Sequence, residues 1–61
     1  MTRAELVQRL RDTSKVMASS AVQLKFYGGF SGRAVHHAQE LAGAAEIVST
    51  WADGLEKEKT Q

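Results

Sequence analysis

The sequence predicts an all-α fold: a two-helix antiparallel hairpin that assembles into an oligomeric helical bundle. Three observations carry that prediction. Apolar residues recur at three- and four-residue spacing along two long stretches, and a glycine-rich segment separates the stretches. The chain has 61 residues and no cysteine, which gives a small core and no disulfide to reinforce it.

The first helix is predicted from about residue 3 to residue 26. Thr2-Arg3-Ala4-Glu5 has the form of a capping box, in which the Thr2 hydroxyl accepts the Glu5 amide and the Glu5 side chain reaches back to the Thr2 amide. Val7, Leu10, Ser14, Met17, Ala21 and Leu24 follow as one stripe, joined by Leu6, while Arg9, Arg11, Asp12, Lys15 and Gln23 lie largely off it. Gly28-Gly29 supplies the left-handed conformation that ends helices, so residues 27–31 read as a turn. Ser31 is the predicted N-cap of the second helix, with Phe30 placed to staple onto Val35.

The second helix is predicted over about residues 32–55, ending at Asp53-Gly54 or running one more turn, with residues 56–61 as a charged, frayed tail. Its stripe is Ala34, Ala38, Leu41, Ala45, Val48, Ala52 and Leu55. Every seventh residue from Ser31 is small (Ser31, Ala38, Ala45, Ala52), and Ser14 and Ala21 repeat the device in the first helix. Small residues at one seam position let backbones approach while larger neighbours interlock. Helices of matched length, about 33–37 Å at 1.5 Å per residue, joined by a short turn favour antiparallel packing.

Apolar residues remain beside that seam. Val16, Val22, Val35, Ala44, Ile47 and Trp51 lie to its sides, and Ala44, Ile47 and Trp51 form a second three-four row. Left bare, such a row is a patch that monomers avoid. A chain this short buries only about 60% of its unfolded surface, so self-association is the remedy the composition leaves open. The expected oligomer interface comprises Ala38, Leu41, Ala45, Ile47, Val48, Trp51 and Leu55, with Trp51 at its centre. The order of the assembly, dimer or higher, stays open.

Net charge is +1, which argues against a dedicated duplex-DNA binder. Its distribution is uneven: the first helix is basic, through Arg3, Arg9, Arg11, Lys15 and Lys25, and the second is acidic, through Glu40, Glu46 and Asp53. The plain meaning is complementarity that orients helices within or between chains; a basic docking face is the sharper one. No apolar run approaches the roughly 20 residues of a membrane span, and no leader opens the chain, so a cytoplasmic protein without a membrane partner is expected.

The segment Lys25-Phe26-Tyr27-Gly28-Gly29-Phe30-Ser31-Gly32-Arg33 holds more chemistry than a connector needs. Amides at a helix start beside cations form an anion site, glycines admit a ligand to the backbone, and exposed rings can stack on a base. The ligand-binding set predicted here is Lys25, Tyr27, Gly28, Gly29, Phe30, Ser31, Arg33 and His37, for an anionic, nucleotide-like ligand. In an oligomer, turns from neighbouring chains could combine into a fuller pocket. The competing reading is that two glycines, a cap and a staple merely join two helices. The spacing is not that of a Walker A loop, and no strand precedes it.

His36 is predicted to pair with Glu40 at the surface, and His37 to border the seam above Leu41. One chain supplies too few ligands there for a metal, so neither metal nor cofactor is expected. No cysteine nucleophile exists, the serines have cap, seam or surface roles, and two helices form no deep cleft. A non-enzymatic binding protein follows.

Phe26-Tyr27-Gly28-Gly29-Phe30, with Ala34 through Ala45 and Trp51-Ala52-Asp53, resembles small uncharacterised helical accessory proteins encoded by bacteriophages and prophages. The likeness spans about the C-terminal two-thirds of the chain and corresponds to no named family. It implies a protein in the cytoplasm of a bacterial host that acts on host machinery, either by trapping a nucleotide signal or as an inhibitor or adaptor docking a helix face on a host protein.

Overall fold

The computed structural model describes residues 1–58. It is all-helical: α1 spans Arg3–Tyr27 and α2 spans Gly32–Lys57, and the two pack against each other along their lengths as an antiparallel hairpin. The molecule is a rod, 47 Å long and only 15 by 11 Å across. Its radius of gyration is 14.1 Å, where a compact domain of this length would have about 10.5 Å. No described helix is long and apolar enough to cross a membrane.

Both helix starts are capped as their sequences require. The Thr2 hydroxyl accepts the Glu5 amide at 3.1 Å, and the Thr2 amide donates to the Glu5 carboxylate at 2.9 Å. That backbone bond first, and the hydroxyl second, hold the Glu5 carboxyl below its ordinary value. Ser31 caps α2 by accepting the Ala34 amide at 3.1 Å. Between them α1 closes in a Schellman motif: the Phe30 amide donates to the Lys25 carbonyl and the Gly29 amide to that of Phe26, both at 3.1 Å. Gly29 takes the left-handed conformation, and so does Phe30, at φ 57°. For a side chain of that size the left-handed region is strained. Looped back in this way, Phe30 sets its ring edge-on against Phe26, with centroids 5.0 Å apart. Phe26, on the preceding helix, is thus its ring partner, where sequence pattern points to Val35.

The seam is built from small residues. Val7, Ala21, Ala34, Ala38, Ala45 and Ala52 are buried, and Leu10, Ser14, Met17, Leu41, Val48 and Leu55 are half-buried beside them. Among the described residues no large side chain is fully buried. The helices come so close near the turn that a methyl group on Gly28 would collide with the Ala34 Cβ and the Leu24 carbonyl. Mid-seam, the Ser14 hydroxyl crosses to the Ala45 carbonyl at 2.8 Å. At the open end one Arg11 nitrogen bonds both Asp53, at 3.0 Å, and Glu56, at 2.9 Å. The basic and acidic helices therefore meet within the chain.

Two expectations are corrected here. Of the two ends open to α2, the helix takes the longer: it passes Gly54 and runs through Lys57, so residues 56 and 57 belong to the helix rather than to a tail. A glycine inside a helix costs only about 1 kcal/mol, and Arg11 ties down the turn that carries Glu56. Glu58 is the C-cap, and residues 59–61 of the predicted tail lie outside the described residues. Second, Ala38 and Ala45 cannot form the surface offered to another chain, because α1 already buries them. Leu41, Val48 and Leu55 are half-spent in the same seam, whereas Ile47 and Trp51 stay exposed.

Candidate functional site: the turn and the two flanks

The turn gathers three of the four Phe, Tyr and Trp residues at the tip of the rod. Tyr27 is 90% exposed, and Phe26 and Phe30 are more than half exposed despite their mutual contact. The backbone around them is largely committed. The amides of Gly28, Gly29, Phe30 and Ser31 donate to carbonyls of the same turn, and that of Ala34 goes to the Ser31 hydroxyl. Of the amides at the start of α2, Gly32 and Arg33 are left for a ligand. A helix start with two available donors still favours an anion, through the aligned peptide dipoles, but it is a shallow site rather than a cradle.

The predicted ligand residues do not converge as one group. Lys25 lines an open groove of about 370 Å³ on one flank of the hairpin, with Ala18, Val22, Val35, Gln39 and Ala42. Ser31 is occupied as the cap, and Gly28 as the close-contact point between helices. His37 does not border the seam. It is exposed, and its Nδ1 lies 2.9 Å from the Glu40 carboxylate, while the His36 Nε2 lies 3.6 Å from the same oxygen. A side chain three positions from Glu40 is as well placed for it as one four positions away. The His37 hydrogen bond, then the charge on His36, hold the Glu40 carboxyl below its ordinary value. Among the described residues no group of three or more His, Asp or Glu side chains is placed to hold a metal ion.

The flanks differ in character. Heptad positions put Arg11, Ala18, Val22 and Lys25 of α1 on the side where Val35, Ala42, Asp53 and Glu56 of α2 lie. Leu6, Thr13, Val16 and Ser20, with Ala44, Ile47 and Trp51, then fall on the other side. There Val16, Ile47 and Trp51 are each more than half exposed. At the open end of the rod a second groove, about 360 Å³, is lined by Arg3, Ala4, Val7, Gln8, Arg11 and Glu56. Arg11 Nε is buried beside it and has no hydrogen-bond partner among the described residues.

Sequence reasoning missed Arg11 as the clamp between helices, and Ser14 as more than a small seam residue. Asp53 and Glu56, three apart near the end of α2, form an acidic pair that a long α1 side chain could reach, but the register that assigns Arg11 to them comes from the fold. No protein-family model, curated protein or solved structure matches this chain.

Proposed function

We propose that this chain is a non-enzymatic binding protein that works as a homo-oligomer and presents its aromatic turn to an anionic, nucleotide-type ligand. The observation that carries the first half is an inversion of size. Alanines fill the seam, while Val16, Ile47 and Trp51 face outward. The accessible surface is 4617 Å², against about 3,900 Å² for a compact monomer of this mass. A rod with so small a core gains most by covering its large side chains with further chains. Sedimentation velocity over a range of concentrations tests this. Association is expected, and Trp51→Ala should lower its order; a wild-type chain that stays monomeric at every concentration overturns the reading.

The ligand half is supported by Tyr27, an exposed ring at the tip, with Lys25 two residues before it and Arg33 among the first residues of α2. Rings of this kind stack on bases without regard to sequence, and cations beside a helix start suit phosphate. Thermal shift against cyclic and linear nucleotides is the test, because binding to the native state raises apparent stability. A rise that disappears in Lys25→Ala and Arg33→Ala is expected. No rise with any nucleotide at high concentration removes the ligand.

A second reading has its own observation. The groove between Val22 and Val35 is apolar along its floor, which suits a partner helix laid along the hairpin. On that reading the protein is an inhibitor or adaptor docking on a protein, a host protein if the likeness to phage-encoded chains extends to function.

A further inference from the structure

Charge is sorted along the rod as well as between its helices. All seven acids fall in residues 1–12 and 40–61, so α1 carries none from Thr13 to its end and α2 none before Glu40. Lys25 lies two residues before the end of α1, and Arg33 is the second residue of α2. Glu40 stands eight residues past the start of α2, about 12 Å along the rod at 1.5 Å per residue. Salt screens exposed charges over about 8 Å at physiological strength, and the Glu40 carboxylate is already engaged by His36 and His37. From outside, the tip is cationic.

The rings stand at that cationic end. Tyr27 is 90% exposed, Phe26 59% and Phe30 55%. Gly29 supplies the left-handed residue that the helix closure needs, yet Phe30 takes the same conformation at φ 57°. Glycine or asparagine would sit there without that strain. A strained backbone that holds a large apolar ring in water is an outlier, and it points to a use for the ring. Packing within the chain does not supply one, because the contact with Phe26 covers less than half of the residue.

We infer that the turn docks on the surface of an anionic lipid membrane, with Phe26, Tyr27 and Phe30 entering the interfacial layer and Lys25 and Arg33 at the phosphates. This rests on the turn as an anion site, and it names the phosphate as that of a lipid headgroup rather than of a free nucleotide. Shape favours a surface. The tip is the convex end of a rod 15 by 11 Å across, and neither groove on the hairpin takes in any of the three rings. A nucleic-acid strand stacks successive bases along a basic groove, and two cations around a knob do not make one. A bilayer needs no groove, because its interface closes around rings pushed into it while flanking cations meet the headgroups. No described helix is long and apolar enough to cross a membrane. Attachment by a tip needs no crossing, so at this end the expected lack of a membrane partner is given up.

The fold then sets the orientation. Docking by the tip stands the rod away from the surface, with the open end and its acids farthest from anionic lipid. The single tryptophan, Trp51, lies nineteen residues past the start of α2 and so about 28 Å along the rod. It stays clear of the lipid, and the chain carries its own reporter of orientation.

Cosedimentation of the full chain with vesicles tests this, using phosphatidylcholine containing phosphatidylserine and phosphatidylcholine alone. Binding is expected to the first and not to the second, with the emission of Trp51 unchanged. Lys25→Gln and Arg33→Gln should each weaken it roughly fivefold, the worth of one cation near such a surface. Tyr27→Ser should weaken it at unchanged helicity, because a ring 90% exposed does little for the fold. Tyr27→Trp in a Trp51→Phe background should shift its emission to the blue on the anionic vesicles. Equal binding to both vesicles overturns the inference by removing the cations from it. A blue shift of Trp51 in the wild-type chain overturns it by laying the rod flat. Binding to a single-stranded oligonucleotide but to neither vesicle overturns it in favour of nucleic acid. With no binding to any of these, a thermal rise with free nucleotides would overturn the membrane and keep the anion site; no rise would remove both.

Discussion

The seam and the row beside it use the same helix to opposite ends. Ala45 and Ala52 of α2 are buried, Ala52 to 0% exposure, yet each is little more than backbone. Trp51 and Ile47 are among the largest apolar side chains in the protein, and they are 58% and 54% exposed. A hairpin meant to stand alone would place its bulk inside, where each buried methylene is worth about 0.8 kcal/mol. Here the inside holds small residues that allow close backbone approach, and the bulk stands outside the seam. In α2, therefore, burial reports on how near the helices come, and it does not follow side-chain size.

The sharpest way to break that contrast is to put bulk into the seam. Ala45→Leu should cost about 1–3 kcal/mol by overpacking, and chemical denaturation at fixed protein concentration should show the midpoint falling. The same leucine at exposed Ala42 should leave it within experimental error. An equal loss at both positions would mean that the seam is looser than its alanines indicate.

Ser14→Ala sharpens the contrast more gently. It removes the one side-chain bond that crosses the described seam to the opposite backbone, and it should cost about 1 kcal/mol, read in the same assay. Ser19→Ala, on the exposed face, serves as the control.

The smallest effect comes from acid. Glu5 and Glu40 both have carboxyls lowered from 4.5 in the folded chain. Their contribution is complete above that value and is lost as pH falls through the lowered one. Helicity by circular dichroism should therefore hold from neutral pH down to the ordinary carboxylate range and decline below it. Glu5→Gln and Glu40→Gln together should flatten that decline.

Much of the fold is legible in the residues because its causes are local. Thr2 and Glu5 interact across a single turn, Gly29 ends a helix by its own conformational freedom, and the stripes need only periodicity. What escaped the sequence depends on distance or on competition. The Arg11 bond to Asp53 and Glu56 spans more than forty residues and needs the register before it can be seen. Gly54 was a plausible stop until that clamp held the helix beyond it. His36 and His37 both lie within reach of Glu40, and only three-dimensional placement gives His37 the shorter contact. The turn was legible as chemistry, through its rings and cations, but not as geometry, because the use of its amides depends on the Schellman closure.

A smooth alanine seam has few teeth, and two rods with few teeth can slide. Moving α1 along α2 by one heptad would set small residues against small residues again wherever the helices still overlap. Two features resist that slip: the Ser14 hydroxyl, which finds its carbonyl at Ala45, and Gly28, whose missing side chain leaves just enough room for Ala34. Between them they act as a pawl, fixing the stagger of the two helices and so deciding which side chains stand shoulder to shoulder on the outer face.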